Sequence, residues 1–171
     1  MGAALEDTGE GGANLSGREP GTATFRPVRP DDAPLLARLA RARWSNLPLP
    51  ELAELQDRAQ RSEYSARYGS FGEHVIVVDG VPLGRVWWSD DATDRRIVDI
   101  ALLPEAQGRG TGPAVVASLV AGAGNRSTRL SVEHSNPRWR SQLEAMGFVE
   151  ASSDSVRAEL VRPPARHGED A

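Results

Sequence analysis

The stretch Pro104-Glu105-Ala106-Gln107-Gly108-Arg109-Gly110-Thr111-Gly112 places three glycines in five residues, between an apolar run that reads as a strand and a segment that reads as a helix. A helix start leaves backbone N–H groups unpaired, and its dipole favours anions there. Glycines lack Cβ atoms, so such a backbone can close around an oxyanion, and Arg109 can add a charge-assisted contact. A pyrophosphate is the natural guest. A few side chains elsewhere could move protons. Asp99 is a carboxylate inside an apolar strand, where burial disfavours the charged form and suits a general base; the other reading is a carboxylate partnered by an arginine or a backbone N–H. Glu133 and His134 end the next strand, beside the strand splay, and histidine is the better base of the two at neutral pH; the other reading of His134 is an exposed strand-end histidine. Tyr64 and Tyr68 stand four apart on a helix, as proton donors or as packing residues. His74 begins a strand, and Glu73 beside it reads as solvated.

Composition narrows the chemistry further. The 171 residues include no cysteine, which excludes disulfides, thiolate metal sites and a cysteine nucleophile. All 20 basic residues are arginine, so no Schiff base, P-loop lysine or lysine general base is available. No metal site is expected. The net charge of −4 without a basic stripe argues against nucleic acid and is compatible with a cationic substrate. No apolar run approaches the ~20 residues that span a bilayer, and no secretory pattern is seen. The expectation is a cytoplasmic protein with no membrane partner.

The positioning elements follow from periodicity and punctuation. Residues 1–21 are expected to be a disordered leader and 163–171 a disordered tail, with one folded domain over 22–162. Thr24 to Arg29 reads as a strand. Asp31 or Asp32 is expected to cap a helix carrying Leu35, Leu36, Leu39 and Ala40. A second helix runs from Glu51 to about Tyr68, with Leu52, Leu55 and Ala59 expected on its buried face. His74–Val78 and Pro82–Trp88 flank Asp79-Gly80, a strong hairpin signal. Trp87 and Trp88 must point to opposite faces. Arg96 to Leu103 is apolar on both faces and reads as a central strand. Helices are expected over about 113–123 and 137–146, the second ended by Gly147. Strands are expected at Arg129–Glu133, Phe148–Ala151 and Ser155–Leu160. The order β-α-α-β-β-β-α-β-α-β-β describes an α/β protein with one mixed sheet and flanking helices.

The glycine turn discriminates between known phosphate motifs. The Walker A pattern needs a lysine, and the dinucleotide pattern needs G-x-G-x-x-G, which Gly108, Gly110 and Gly112 do not supply. The pattern Gln/Arg-x-x-Gly-x-Gly/Ala is matched by Gln107, Gly110 and Gly112. With this turn, the Arg-Pro-Asp-Asp-Ala opening, the Leu-Leu-Pro-Glu approach, Asn136-Pro137 and Met146-Gly147-Phe148, the sequence resembles the GNAT superfamily of acyl-CoA N-acyltransferases from about Phe25 to Leu160.

The resemblance implies a central mixed sheet with a splayed strand pair, and acetyl-CoA or another acyl-CoA as co-substrate. Leu102 and Leu103 would bond the pantetheine arm through their backbone and polarise the thioester. Gln107 to Gly112 would hold the diphosphate, and Asn136 would contact the coenzyme or cap the helix that follows. It further implies acetyl transfer to a primary amine, on a small molecule or a peptide, by direct attack in a ternary complex. Tyr64 and Tyr68 would border the acceptor site, and a homodimer is one assembly it allows. Three positions depart from the pattern. The usual tyrosine acid falls on Leu143, Trp139 replaces a residue that is usually small, and Pro113 withdraws a donor just after the turn. These departures favour the alternative of a catalytically weak or inactive acyl-CoA-binding protein.

Overall fold

A computed structural model of the chain describes residues 21–164, so the expected leader and tail fall almost wholly outside the described residues. Seven strands form one sheet in the order β1-β2-β3-β4-β5-β7-β6. They are β1 (Ala23–Pro27), β2 (Gly72–Val78), β3 (Val81–Asp90), β4 (Asp94–Leu102), β5 (Ser127–Glu133), β6 (Val149–Ser153) and β7 (Arg157–Arg162). The helices are α1 (Ala33–Arg43), α2 (Pro50–Tyr68), α3 (Thr111–Ala121) and α4 (Pro137–Ala145). The element order is the one expected from sequence.

Local chemistry explains the sharpest boundaries. Asp79 and Gly80 both take positive φ, 50° and 78°, as a tight hairpin turn between β2 and β3 requires. Gly147, at φ 90°, lets the chain leave α4. Helix α3 begins two residues earlier than expected, because Gly110 caps it in the left-handed region at φ 77°. Pro113 is therefore the third helical residue rather than the first.

Adjacent strand residues point to opposite faces of a sheet, and β3 shows what each face holds. Val86 belongs to the apolar core with Val115, Val116 and Leu119 of α3 and Leu143 of α4. Its neighbour Arg85 faces α2, where Asp57 receives its guanidinium at 2.6 and 3.2 Å. Helices α3 and α4 thus cover an apolar face, and α1 and α2 cover a charged one. This polarity corrects the expected orientation of α2. Leu52 and Leu55 are exposed, and the inward stripe is Ala53, Asp57, Gln60 and Tyr64. A hydrophobic reading missed that stripe because its partners on the sheet are arginine and aspartate.

Three smaller expectations also change. Asp32 does not cap α1; its carboxylate holds the Arg26 guanidinium through two bonds of 2.7 Å and accepts from the Arg29 amide at 2.7 Å. Glu73 is not simply solvated. It accepts from Trp87 Nε1 at 3.1 Å and pairs with Arg61 at 2.6 Å. Trp87 is buried on the α2 face with Arg85 stacked at 4.0 Å, while Trp88, on the other face, stacks on His74 at 3.7 Å.

Candidate active site

β4 and β5 are parallel neighbours only where Asp94, Arg95 and Arg96 oppose Ser127, Thr128 and Arg129. Beyond Arg96 the two strands part. A cleft of about 590 Å³ occupies the gap, within the usual size for small-molecule sites. Its lining comes from both faces of the sheet. Gln107, Gly108, Gly110, Gly112, Pro113, Asn136 and Trp139 line one end; Arg43, Tyr64, Tyr68, Asp99, Ser131, Glu133 and Arg157 line the other.

The hydrogen-bond direction of β4 decides which backbone groups face the gap. Leu103 donates its N–H to Leu83 O at 2.9 Å, so this antiparallel pair faces β3. Bonding alternates along such a ladder. Register Arg85↔Ala101 therefore also faces β3, and Ile100 and Leu102 turn their N–H and C=O groups the other way, to the edge that β5 has left. The Leu102 carbonyl confirms that direction by accepting from Gln107 Nε2 at 2.9 Å. A register shift opposite Trp87 and Trp88 leaves Val98 without a partner in β3. The open edge is thus Ile100 and Leu102, which line the cleft together with Val98.

At the α3 end, the amides of Gly108, Arg109, Gly110, Thr111 and Gly112 donate to no acceptor among the described residues. Gly108 has φ 71° and open space where a Cβ would project. At Gly112 a Cβ would lie in ordinary contact with the Trp139 ring, at 3.4 Å, so the indole packs directly beside the turn. Arg109 is exposed and makes no ion pair among the described residues. Consecutive unpaired amides at a helix start form a concave donor array for an oxyanion. Asn136 accepts from Trp139 N at 3.2 Å, which makes it the cap of α4, and it lines the cleft as well.

The other end is charged and aromatic. Asp99 receives Arg43 through two bonds of 2.7 Å and Arg85 at 3.3 Å. Both its oxygens are engaged. Tyr68 O lies 3.2 Å from Ser131 Oγ, and Ser131 donates its single proton to Glu159 at 2.9 Å. Tyr68 must then be the donor to Ser131, and its proton is committed. Tyr64 O accepts from Gln60 at 3.5 Å and donates to no acceptor among the described residues. Burial pushes its phenol above the ordinary value, and the Asp99 charge adds to this against the pull of Arg43 and Arg157.

No protein-family model matches the sequence, and no curated protein matches it. Solved structures do match in shape. The ribosomal-protein-S18-alanine N-acetyltransferase from Escherichia coli superposes with a TM-score of 0.60 at 18% identity, over 88% of this chain and 99% of that one. An acetyltransferase from Thermus thermophilus gives 0.61 at 23%, over 83% and 97%. The PaiA N-acetyltransferase from Thermoplasma acidophilum, solved with coenzyme A, gives 0.57 at 16%, over 83% and 99%. The protein has the GNAT acetyltransferase fold.

Within the GNAT fold the expected residues separate. Gly108, Gly110 and Gly112 form the donor turn, with Arg109 beside it. Thr111 contributes its amide while its side chain is buried. Gln107 works differently from expectation. Its amide donates to Pro104 O, and its side chain ties the turn to the end of β4. Leu103 is only 2% exposed with its N–H committed to β3, so it is Ile100 rather than Leu103 that shares the open edge with Leu102. Asp99 takes the partnered alternative. His134 does not line the cleft; its ring bonds Asp154 O at 2.9 Å in the turn between β6 and β7. Leu143 is fully buried core.

Among the lining residues that escaped the expected set are Ser131, Arg43 and Arg157, while Glu133, expected beside the strand splay, does line the cleft. Ser131 and Glu133 alternate with buried Leu130 and Val132. That period of two was a usable signal for which residues of β5 face α2. Nothing local marks Arg43 or Arg157, which reach the cleft from distant elements.

Proposed function

We propose that the protein transfers an acyl group, most simply acetyl, from an acyl-CoA to a primary amine by direct attack. The observation that carries this reading is the run of unpaired amides from Gly108 to Gly112 opening onto the same gap as the unpaired edge of β4. The turn would hold the diphosphate, with Arg109 adding charge. The free edge at Ile100 and Leu102 would bond the pantetheine arm as an added strand. A strand N–H there would stabilise the carbonyl oxygen as it gains charge. The coenzyme supplies the thioester.

A lysine-like amine has a pKa of ~10.4 and must lose a proton before it attacks. Glu133, exposed at the end of β5 on the Tyr64 side, is the carboxylate in the cleft not held by an arginine, and it takes that proton through water. The new C–N bond forms as the C–S bond breaks, Tyr64 donates its free proton to the departing thiolate, and the second proton that the nitrogen sheds on becoming an amide returns to the Tyr64 oxygen through water. The products are an amide and the free thiol. Tyr64 replaces the acid that the Leu143 position cannot supply.

The test is acetyl-CoA consumption, read by thiol release, against a panel of primary amines, with CoA affinity measured separately by calorimetry. Turnover with an amine supports the transferase. A second reading, an acyl-CoA-binding protein without catalysis, is favoured by buried Leu143. Tight CoA binding with no thiol release across the panel would establish it, and no CoA binding would defeat both.

A further inference from the structure

A second cavity, of about 350 Å³, adjoins the cleft, with Tyr68, Ser131 and Arg157 lining both. Its other walls carry Arg67, Arg96 and Arg129 against Asp154 and Glu159. Two of these arginines are already answered within the fold. Arg96 is held by Glu159, and Arg129 donates to Asp94 at 2.9 Å. Arg67 is only loosely engaged, 3.7 Å from an Asp154 carboxylate that also accepts from the Val156 and Arg157 amides at 2.8 Å.

Arg157 has no carboxylate within 4 Å among the described residues. Glu133 lies directly across from it in register, but Glu133 accepts from Ser135 instead. The Arg157 Nε is shielded from solvent with no hydrogen-bond partner. Burial works against its charge, yet the Tyr68 hydroxyl, with Tyr64 and Glu133, holds its pKa above the ordinary value. A half-buried guanidinium that faces no carboxylate at contact distance and leaves its Nε unpaired is costly unless a ligand completes its contacts. Its planar fork matches carboxylate and phosphate oxygens.

We propose that the amine acceptor carries an oxyanion, a carboxylate or a phosphate, which Arg157 and Arg67 bind in this second cavity while the amine enters the cleft. The inference rests on the acyl-transfer reading and names the substrate class for it. It also reverses what net charge suggests. The chain as a whole is acidic, but the second cavity is lined by four arginines against two carboxylates, so a diamine is disfavoured there. The hydroxyls of Ser152 and Ser153 line the same cavity as further polar groups for the anion.

The experiment is direct titration of the full chain, followed by calorimetry and by the arginine Nε signals in NMR. Matched ligands are β-alanine against propylamine, γ-aminobutyrate against butylamine, ε-aminocaproate against hexylamine, aminopropylphosphonate, and putrescine. At least one acidic amine is expected to bind about tenfold or more tighter than its neutral-tailed match, the scale of one charge-assisted contact. Arg157→Gln should abolish that preference, and Arg157→Lys should keep part of it, with acetyl-CoA affinity unchanged in both. Arg67→Gln serves as the second variant should Arg157→Gln lose its fold by circular dichroism, and it should weaken the preference. The carboxylate and phosphonate arms separate the two oxyanions. Equal binding of acid and matched amine, a preference for putrescine, or a preference untouched by the variants overturns the proposal. Acidic amines that bind through Arg157 without any acetyl-CoA binding would leave this cavity standing and defeat the transferase reading.

Discussion

Asp99→Asn separates a structural carboxylate from a catalytic one. In the native fold the Asp99 side chain is 7% exposed and receives Arg43 and Arg85, whose side chains are 29% and 2% exposed. The substitution preserves shape and removes the charge that both guanidiniums face. Breaking a buried ion pair costs about 3–5 kcal/mol when the partner is left uncompensated. Arg85 retains Asp57 at 2.6 Å, and Arg43 keeps partial access to water, so the low end, about 3 kcal/mol, applies. For a chain of this size that corresponds to a fall in Tm of roughly 6–12 °C. Thermal unfolding by circular dichroism reads the loss, and thiol release well below the transition reads the chemistry. Because both carboxylate oxygens are engaged by arginine, kcat should stay within about threefold of the parent, while the alkaline limb of the pH–rate profile should move to lower pH because the Asp99 charge no longer raises the Tyr64 phenol. A Tm that moves by less than about 2 °C would refute the energetic argument. A normal Tm shift with CoA binding intact and kcat down about a hundredfold would show that Asp99 handles a proton after all.

Tyr64→Phe should lower kcat about a hundredfold with acetyl-CoA affinity unchanged by calorimetry, as removal of a general acid does; a fall of less than about threefold would remove Tyr64 from the mechanism. Pro113→Ala restores an amide to the first turn of α3, and one more donor to a diphosphate should tighten CoA binding by about tenfold in the same measurement. No change or a loss of affinity would contradict the donor-array account. Asp32, held by the Arg26 guanidinium and the Arg29 amide against the cost of burial, has its pKa lowered from 3.8 to about 2. Its folded value lies below its unfolded one, so its stabilisation is complete above about pH 5 and is lost as pH falls from 3.8 toward 2. Asp32→Asn should therefore lower the urea midpoint at neutral pH and flatten the acid limb. Parallel loss of midpoint in parent and variant through that window would count against this assignment.

What the sequence determined by itself was set by local sterics and local hydrogen bonding. The hairpin at Asp79-Gly80, the end of α4 at Gly147 and the cap at Asn136 each need particular residue types within a few positions. So does the donor turn, whose glycines at 108 and 110 take positive φ. Strand and helix periodicity then supplied the element order. Only the tertiary structure decided the partners of the charges. Asp99 meets an arginine 56 residues away, and Tyr68 meets a serine 63 residues away. It also decided which edge of β4 is open, because Ile100 and Leu103 look alike until the pairing of Leu103 with Leu83 fixes the alternation. The buried face of α2 was misassigned for the same reason. A helix turns its polar side inward when the sheet presents Arg85 and Asp99, and no periodicity within α2 records what the sheet presents.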